Sequence, residues 1–149
     1  MTREITDRVL NLNSSDLDPI VQAVLNDDSA TATGSLSCEP TGAQSMGAGT
    51  LAILKVGGQA RTITGEKSWS VVLKAMYTGE ASRGRRNDPL VEINAYDSDL
   101  FDGENNGMRV ARCYRIDRLP DDEVWLWIED LSGWIGPPWD SSDYERASE

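Results

Sequence analysis

Histidine is absent from the 149-residue chain, and that absence removes a wide range of chemistry. Ser-His-Asp and Cys-His nucleophiles, imidazole acid–base catalysis and His-ligated zinc are all excluded. Cysteine is scarce: Cys38 and Cys113 stand far apart and outside any CxxC pattern, which argues against structural zinc. They read as reduced thiols of a cytoplasmic protein. No apolar run approaches the ~20 residues that span a bilayer. The opening MTREITDRVL lacks the apolar core of a secretion signal. Positive charge is also in short supply. Fourteen Lys and Arg face 25 Asp and Glu, for a net charge of −11. A nucleic-acid binder needs a basic face to displace counterions, and an anionic membrane surface needs the same. Neither partner is expected.

What is present suffices for one ordinary domain. The apolar fraction is 39%, and the 13 glycines bring the total into the usual range. Residues 14–26, SSDLDPIVQAVLN, predict a short helix. Ser14 or Ser15 can cap it, Pro19 suits its first turn, and Leu17, Ile20, Val21, Val24 and Leu25 form one apolar face. Strand texture follows at 36–39, 50–56 and 69–76, with a loop at 41–49 and a turn region from Gly57-Gly58 to Ser68. Asp88-Pro89 signals a helix start, and the spacing of Leu90, Ile93, Tyr96, Asp97 and Leu100 carries it to Phe101. Two further strands are expected at 110–116 and 123–131, around a turn at Pro120-Asp121-Asp122. In the latter, Trp125 and Trp127 should share one face and Leu126 and Ile128 the other. The connections at 41–49, 57–68 and 117–122 are too short for crossover helices, so the sheet should be antiparallel.

Three features combine into a candidate site. A glycine-containing loop, TGAQSMGAG, lies between the first two strands, and its amides can point at phosphate oxygens. Lys74 alternates with apolar residues in WSVVLK, so its ammonium should face a cleft, where a carboxylate or phosphate must neutralise it. Glu92, in the following helix, can be that carboxylate. Taken singly, each has a plainer reading: turn glycines, a strand lysine, a solvated helix glutamate and, in WLWIEDL, a buried strand.

In this order the chain resembles the N-terminal lobe of aminoglycoside-phosphotransferase-like and ecdysteroid-kinase-like enzymes, small-molecule kinases of protein-kinase-like fold. LSCEPTGAQSMGAGTLAI is similar to that family's first strand, nucleotide loop and second strand. WSVVLK is similar to its lysine strand, EINAYDSDL to its glutamate helix, VARCYRI to its fourth strand, and VWLWIEDLSG to its fifth strand and hinge. The resemblance spans about residues 14–149. It implies an α+β fold, a five-stranded antiparallel sheet with one packed helix, an N-terminal helix, and the start of a C-terminal linker helix. Residues 1–34 would be helix and linker, 35–133 the nucleotide-binding lobe, and 134–149 the linker toward a second lobe.

The same resemblance assigns roles. Gly42, Gln44, Ser45 and Gly47 would belong to the phosphate-covering loop, which departs here from GxGxxG. Lys74 would contact the α- and β-phosphates of ATP, and Glu92 would orient it. Backbone around Glu129 and Leu131 would hydrogen-bond adenine, with Ile128 and Leu131 beside the ring. The family's HGD-type catalytic loop and its magnesium ligands belong to a C-terminal lobe, so no catalytic or metal-binding residue is expected here. Asp140 and Asp143 read as helix-start carboxylates. The expectation is the nucleotide-binding half of a phosphotransferase, inactive by itself, with Mg²⁺ bound only alongside the second lobe. The acceptor would be a hydroxylated small molecule, and the exposed cleft face would meet a C-lobe or another copy. A boundary inside the tail helix fits a piece of a longer enzyme. Two other readings are a non-catalytic module that keeps the lobe shape and pairs with another protein, and an unrelated acidic α+β domain.

Overall fold

The computed structural model describes residues 2–41, 50–79, 89–97 and 111–131. Helix α1 (Thr2–Leu10) leads through a 3₁₀ turn (Ser14–Leu17) into α2 (Asp18–Leu25). Strands β1 (Thr31–Pro40), β2 (Thr50–Thr62) and β3 (Gly65–Tyr77) follow, then α3 (Pro89–Asp97), β4 (Cys113–Leu119) and β5 (Glu123–Glu129). The five strands form one antiparallel sheet in the order β1-β2-β3-β5-β4. This is the α+β architecture expected from the short connections.

Alternation along the strands creates two unlike faces. On one, Leu54, Val56, Val71, Leu73, Ala75, Trp125 and Trp127 pack against Ile5, Val9, Leu17, Ile20 and Val21. Ile5 and Val9 stand four apart on α1, so the helix buries one stripe and leaves its charges outside. Asn26 ends α2 in the left-handed region, at φ 52° and ψ 47°, a conformation asparagine tolerates. Asp18, at the start of α2, accepts the Ala32 amide at 2.9 Å and so ties the helix to β1. On the opposite face, α3 packs Ile93 with Met76, Val124 and Leu126. Trp125 and Trp127 thus face the N-terminal helices, while Leu126 and Ile128 face the side of α3, as their alternation required.

Several boundaries differ from those read in the sequence. Gly57 and Gly58 lie inside β2, paired with Ser70 and Trp69, and the chain reverses instead around Ile63 and Thr64. The two glycines provide room, not a turn. A Cβ at Gly57 would sit 2.8 Å from the Trp69 carbonyl oxygen. β1 begins at Thr31, within the segment read as linker, and α1 is a helix the sequence reading did not anticipate. Residues 14–17 form a 3₁₀ turn ahead of α2, and no side chain caps either element. β4 starts three residues later than expected. Its reversal into β5 uses Asp121 and Asp122, both in the left-handed region at φ 65° and 60°. The expected tail helix and residues 98–101 of the third helix lie outside the described residues.

Candidate functional site

The α3 side of the sheet is covered unevenly. Met76, Val124 and Leu126 are buried beneath Ile93, with Tyr96, Cys113, Ile116 and Ile128 packed around them. Among the described residues that apolar cluster stops toward β1. Ile53, Lys55, Val72 and Lys74 are half-buried and belong to neither core, and Ser37 and Glu39 are exposed. Register places these residues on one surface: Lys74 opposes Ile53 on β2 and Leu126 on β5, while Val72 opposes Lys55 and Ile128. The result is a shelf with apolar floor residues Ile53, Val72 and Ile128 and two lysines standing on it.

Lys74 lies on the helix-bearing face of the central strand. Glu92 lies in α3, one residue before the buried Ile93. The Glu92 side chain is outside the described residues, and with it the expected pairing to Lys74. Gly42, Gln44, Ser45 and Gly47 are likewise outside. The two ends of their connection are placed, however. The Thr41 amide donates to the Ile53 carbonyl at 3.2 Å, and Thr50 opposes Met76, so the connection leaves the sheet at the end lying just beyond Lys74.

At the other end of the shelf, β5 runs out through Ile128, Glu129 and Leu131. Ile128 packs against the α3 cluster, and Leu131 is half-buried just past the strand. Glu129 is engaged by the start of β4: its amide donates to the Arg112 carbonyl at 2.8 Å, and its Oε1 accepts the Arg112 amide at 3.2 Å.

Beside them stands a polar cluster that the sequence reading missed. Asp130 Oδ2 accepts the Ser70 hydroxyl at 2.7 Å and lies 3.4 Å from Lys55 Nζ. The signal was available in the alternation itself, since positions 126, 128 and 130 share a face with 70, 72 and 74. The resemblance gives this segment backbone roles only, so it carries no signal for the Asp130 carboxylate.

Chemically, the shelf offers an ammonium at one end, an apolar floor in the middle and a carboxylate-lined strand exit at the other. That suits an anionic ligand with a flat apolar part. Among the described residues no group of three or more Cys, Asp or Glu side chains gathers as a metal ion would require. No protein-family profile, no curated protein and no solved structure matches the chain.

Proposed function

We propose that this chain binds a nucleoside triphosphate on the open shelf, as the nucleotide-binding half of a phosphotransferase acting on a small-molecule hydroxyl. The observation that carries the reading is the placement of Lys74. It stands in the central strand, on the sheet face shared with α3, between the exit of β5 and the end of the sheet where the glycine-containing connection departs. An ammonium so placed favours a polyanion, and the neighbouring Ile53, Val72 and Ile128 favour a purine ring. Acceptor chemistry would come from elsewhere, since the family's catalytic loop needs a histidine and this chain contains none. Cys38 and Cys113 are not joined in a disulfide, which suits a reducing, cytoplasmic setting.

One lysine on a half-open shelf compensates little of a triphosphate's charge. Affinity should be weak, with dissociation constants of high micromolar or above, about −5 kcal/mol or smaller in magnitude. Titration calorimetry with ATP and with adenosine is the test. Lys74→Ala should weaken ATP several-fold and leave adenosine unchanged. ATP affinity that is indifferent to Lys74, or no binding of either ligand, would end the proposal.

A further inference from the structure

We propose that Asp130 is a positioning residue, whose carboxylate holds the segment leaving β5 against β2 and β3 and so fixes the base-binding edge of the shelf. The part about the base rests on the nucleotide reading, whereas the clamp itself does not. Three strands converge on this carboxylate. Ser70 comes from β3, Lys55 from β2, and Asp130 follows directly after Glu129, the last residue of β5. The Asp130 side chain is only 8% exposed, while Lys55 is 41% exposed. A carboxylate withdrawn from water to that extent needs its donors, because an unpaired buried charge is far costlier than an exposed one. Gly57 opposes Ser70 on β2, where a Cβ would lie in ordinary contact with the Ser70 Cβ at 3.6 Å.

The clamp lies at the far end of the shelf from the glycine-containing connection. Ser70 and Lys74 share a face two alternations apart, about 13 Å at ~3.3 Å per residue. An extended nucleotide has that scale, its phosphates near Lys74 and its base near the exit of β5. The clamp holds the segment from the side away from β4, where Arg112, the residue before that strand, already engages Glu129. With both sides secured, the backbone of 129–131 is presented as a rigid edge rather than a swinging tether. Rigid presentation lowers the ordering cost of binding, and that is how a residue without ligand contact can raise affinity.

The test compares the full chain with Asp130→Ala, Asp130→Asn and Ser70→Ala. It uses amide hydrogen exchange, urea unfolding, and calorimetry with adenosine and tripolyphosphate as separate probes. Exchange at 129–131 should accelerate about tenfold in Asp130→Ala, and less in Asp130→Asn, which retains an acceptor for Ser70, while Val21 and Leu54 keep their protection. Adenosine affinity should fall with the same ranking and tripolyphosphate affinity should not. Uniform acceleration across the sheet would reduce Asp130 to a general stability residue, and unchanged exchange at 129–131 would overturn the clamp. If Asp130→Ala does not fold, Asp130→Asn and Ser70→Ala decide the matter. If the wild type binds neither probe, the nucleotide reading fails and the exchange data alone judge the clamp.

Discussion

Arg8 of α1 grips Glu123 of β5 with both prongs of its guanidinium, Nη1 donating to Oε1 at 3.0 Å and Nη2 standing 2.8 Å from Oε2. The contact joins residues 115 positions apart. The guanidinium carbon also lies 4.9 Å from the centre of the Trp125 ring. Fork geometry and stacking are both specific to arginine, so Arg8→Lys should not rescue what Arg8→Ala loses. Arg8 is 40% exposed, which limits the expected loss to about 1 kcal/mol. Urea unfolding measures it, and Arg8→Lys at wild-type stability would show that charge alone suffices.

Neighbouring glycines should respond differently to the same substitution. At Gly57 a methyl group meets the fixed Trp69 carbonyl oxygen at 2.8 Å, whereas at Gly58 the nearest atoms are those of the Trp69 ring at 3.5 Å. Gly57→Ala should destabilise by about 1–3 kcal/mol through overpacking. Gly58→Ala should be close to neutral or mildly stabilising, because it makes ordinary contact and restricts the unfolded chain. Equal midpoints for the two variants in thermal unfolding would contradict this.

Trp127 is fully buried, and its Nε1 donates to Asp117 Oδ2 at 2.9 Å. Arg115 holds the same carboxylate, with Nε 3.0 Å from Oδ1, and its Nη1 donates to the Asp16 carbonyl at 2.7 Å. Trp127→Phe removes the donor and part of the ring volume, and should cost about 1–2 kcal/mol. Trp127→Ala should cost about 3–5 kcal/mol. Denaturant midpoints check both, and a Phe variant at wild-type stability would remove the hydrogen bond's share.

Asp27 should titrate below the ordinary carboxylate range. The Ser29 hydroxyl and then the Ser29 amide donate to its ionised form and hold its pKa down. A lowered folded-state value stabilises the fold above the ordinary carboxylate pKa, and that contribution fades as pH falls through the lowered one. Carboxyl-carbon NMR should show the value moving back up in Ser29→Ala, with the amide bond retaining part of the shift. No movement would mean that the hydroxyl is not the main cause.

Period-two alternation was the most legible part of the sequence. It separated the two faces of β5 and set Lys74 opposite Val71, Leu73 and Ala75, because a strand has no other way to orient its side chains. Glycine misled it. Gly57-Gly58 has turn composition, yet the chain runs on as a strand there, and the close approach of the Trp69 carbonyl oxygen requires bare backbone at Gly57. The start of β1, TATGS, lacks large apolar residues because it pairs at the edge of the sheet. Its irregular register between Thr33 and Ser37, with Gly34 at φ 71°, has no simple periodic signature. α1 carries its burial on Ile5 and Val9 amid charges, too sparse a stripe to recognise alone. In the site, Lys74 was legible from its neighbours. The meeting of Lys55, Ser70 and Asp130 depends on the pairing of three strands, which local pattern does not contain.

The position of β5 has a consequence for synthesis. It is the last of the described strands in sequence yet an inner one in space, inserted between β3 and β4. As a nascent chain emerges, the β1-β2-β3 meander can zip up locally while the outer rim of β3 still waits for residues 123–129. During that interval Val71, Val72 and Leu73 present unpaired amides and carbonyls on an apolar ribbon, the kind of rim that recruits strands from other molecules. The slow step should be capture of that rim by the β4–β5 hairpin, a closure over a long intervening stretch. Any ribosomal pause before Glu129 would lengthen the exposure.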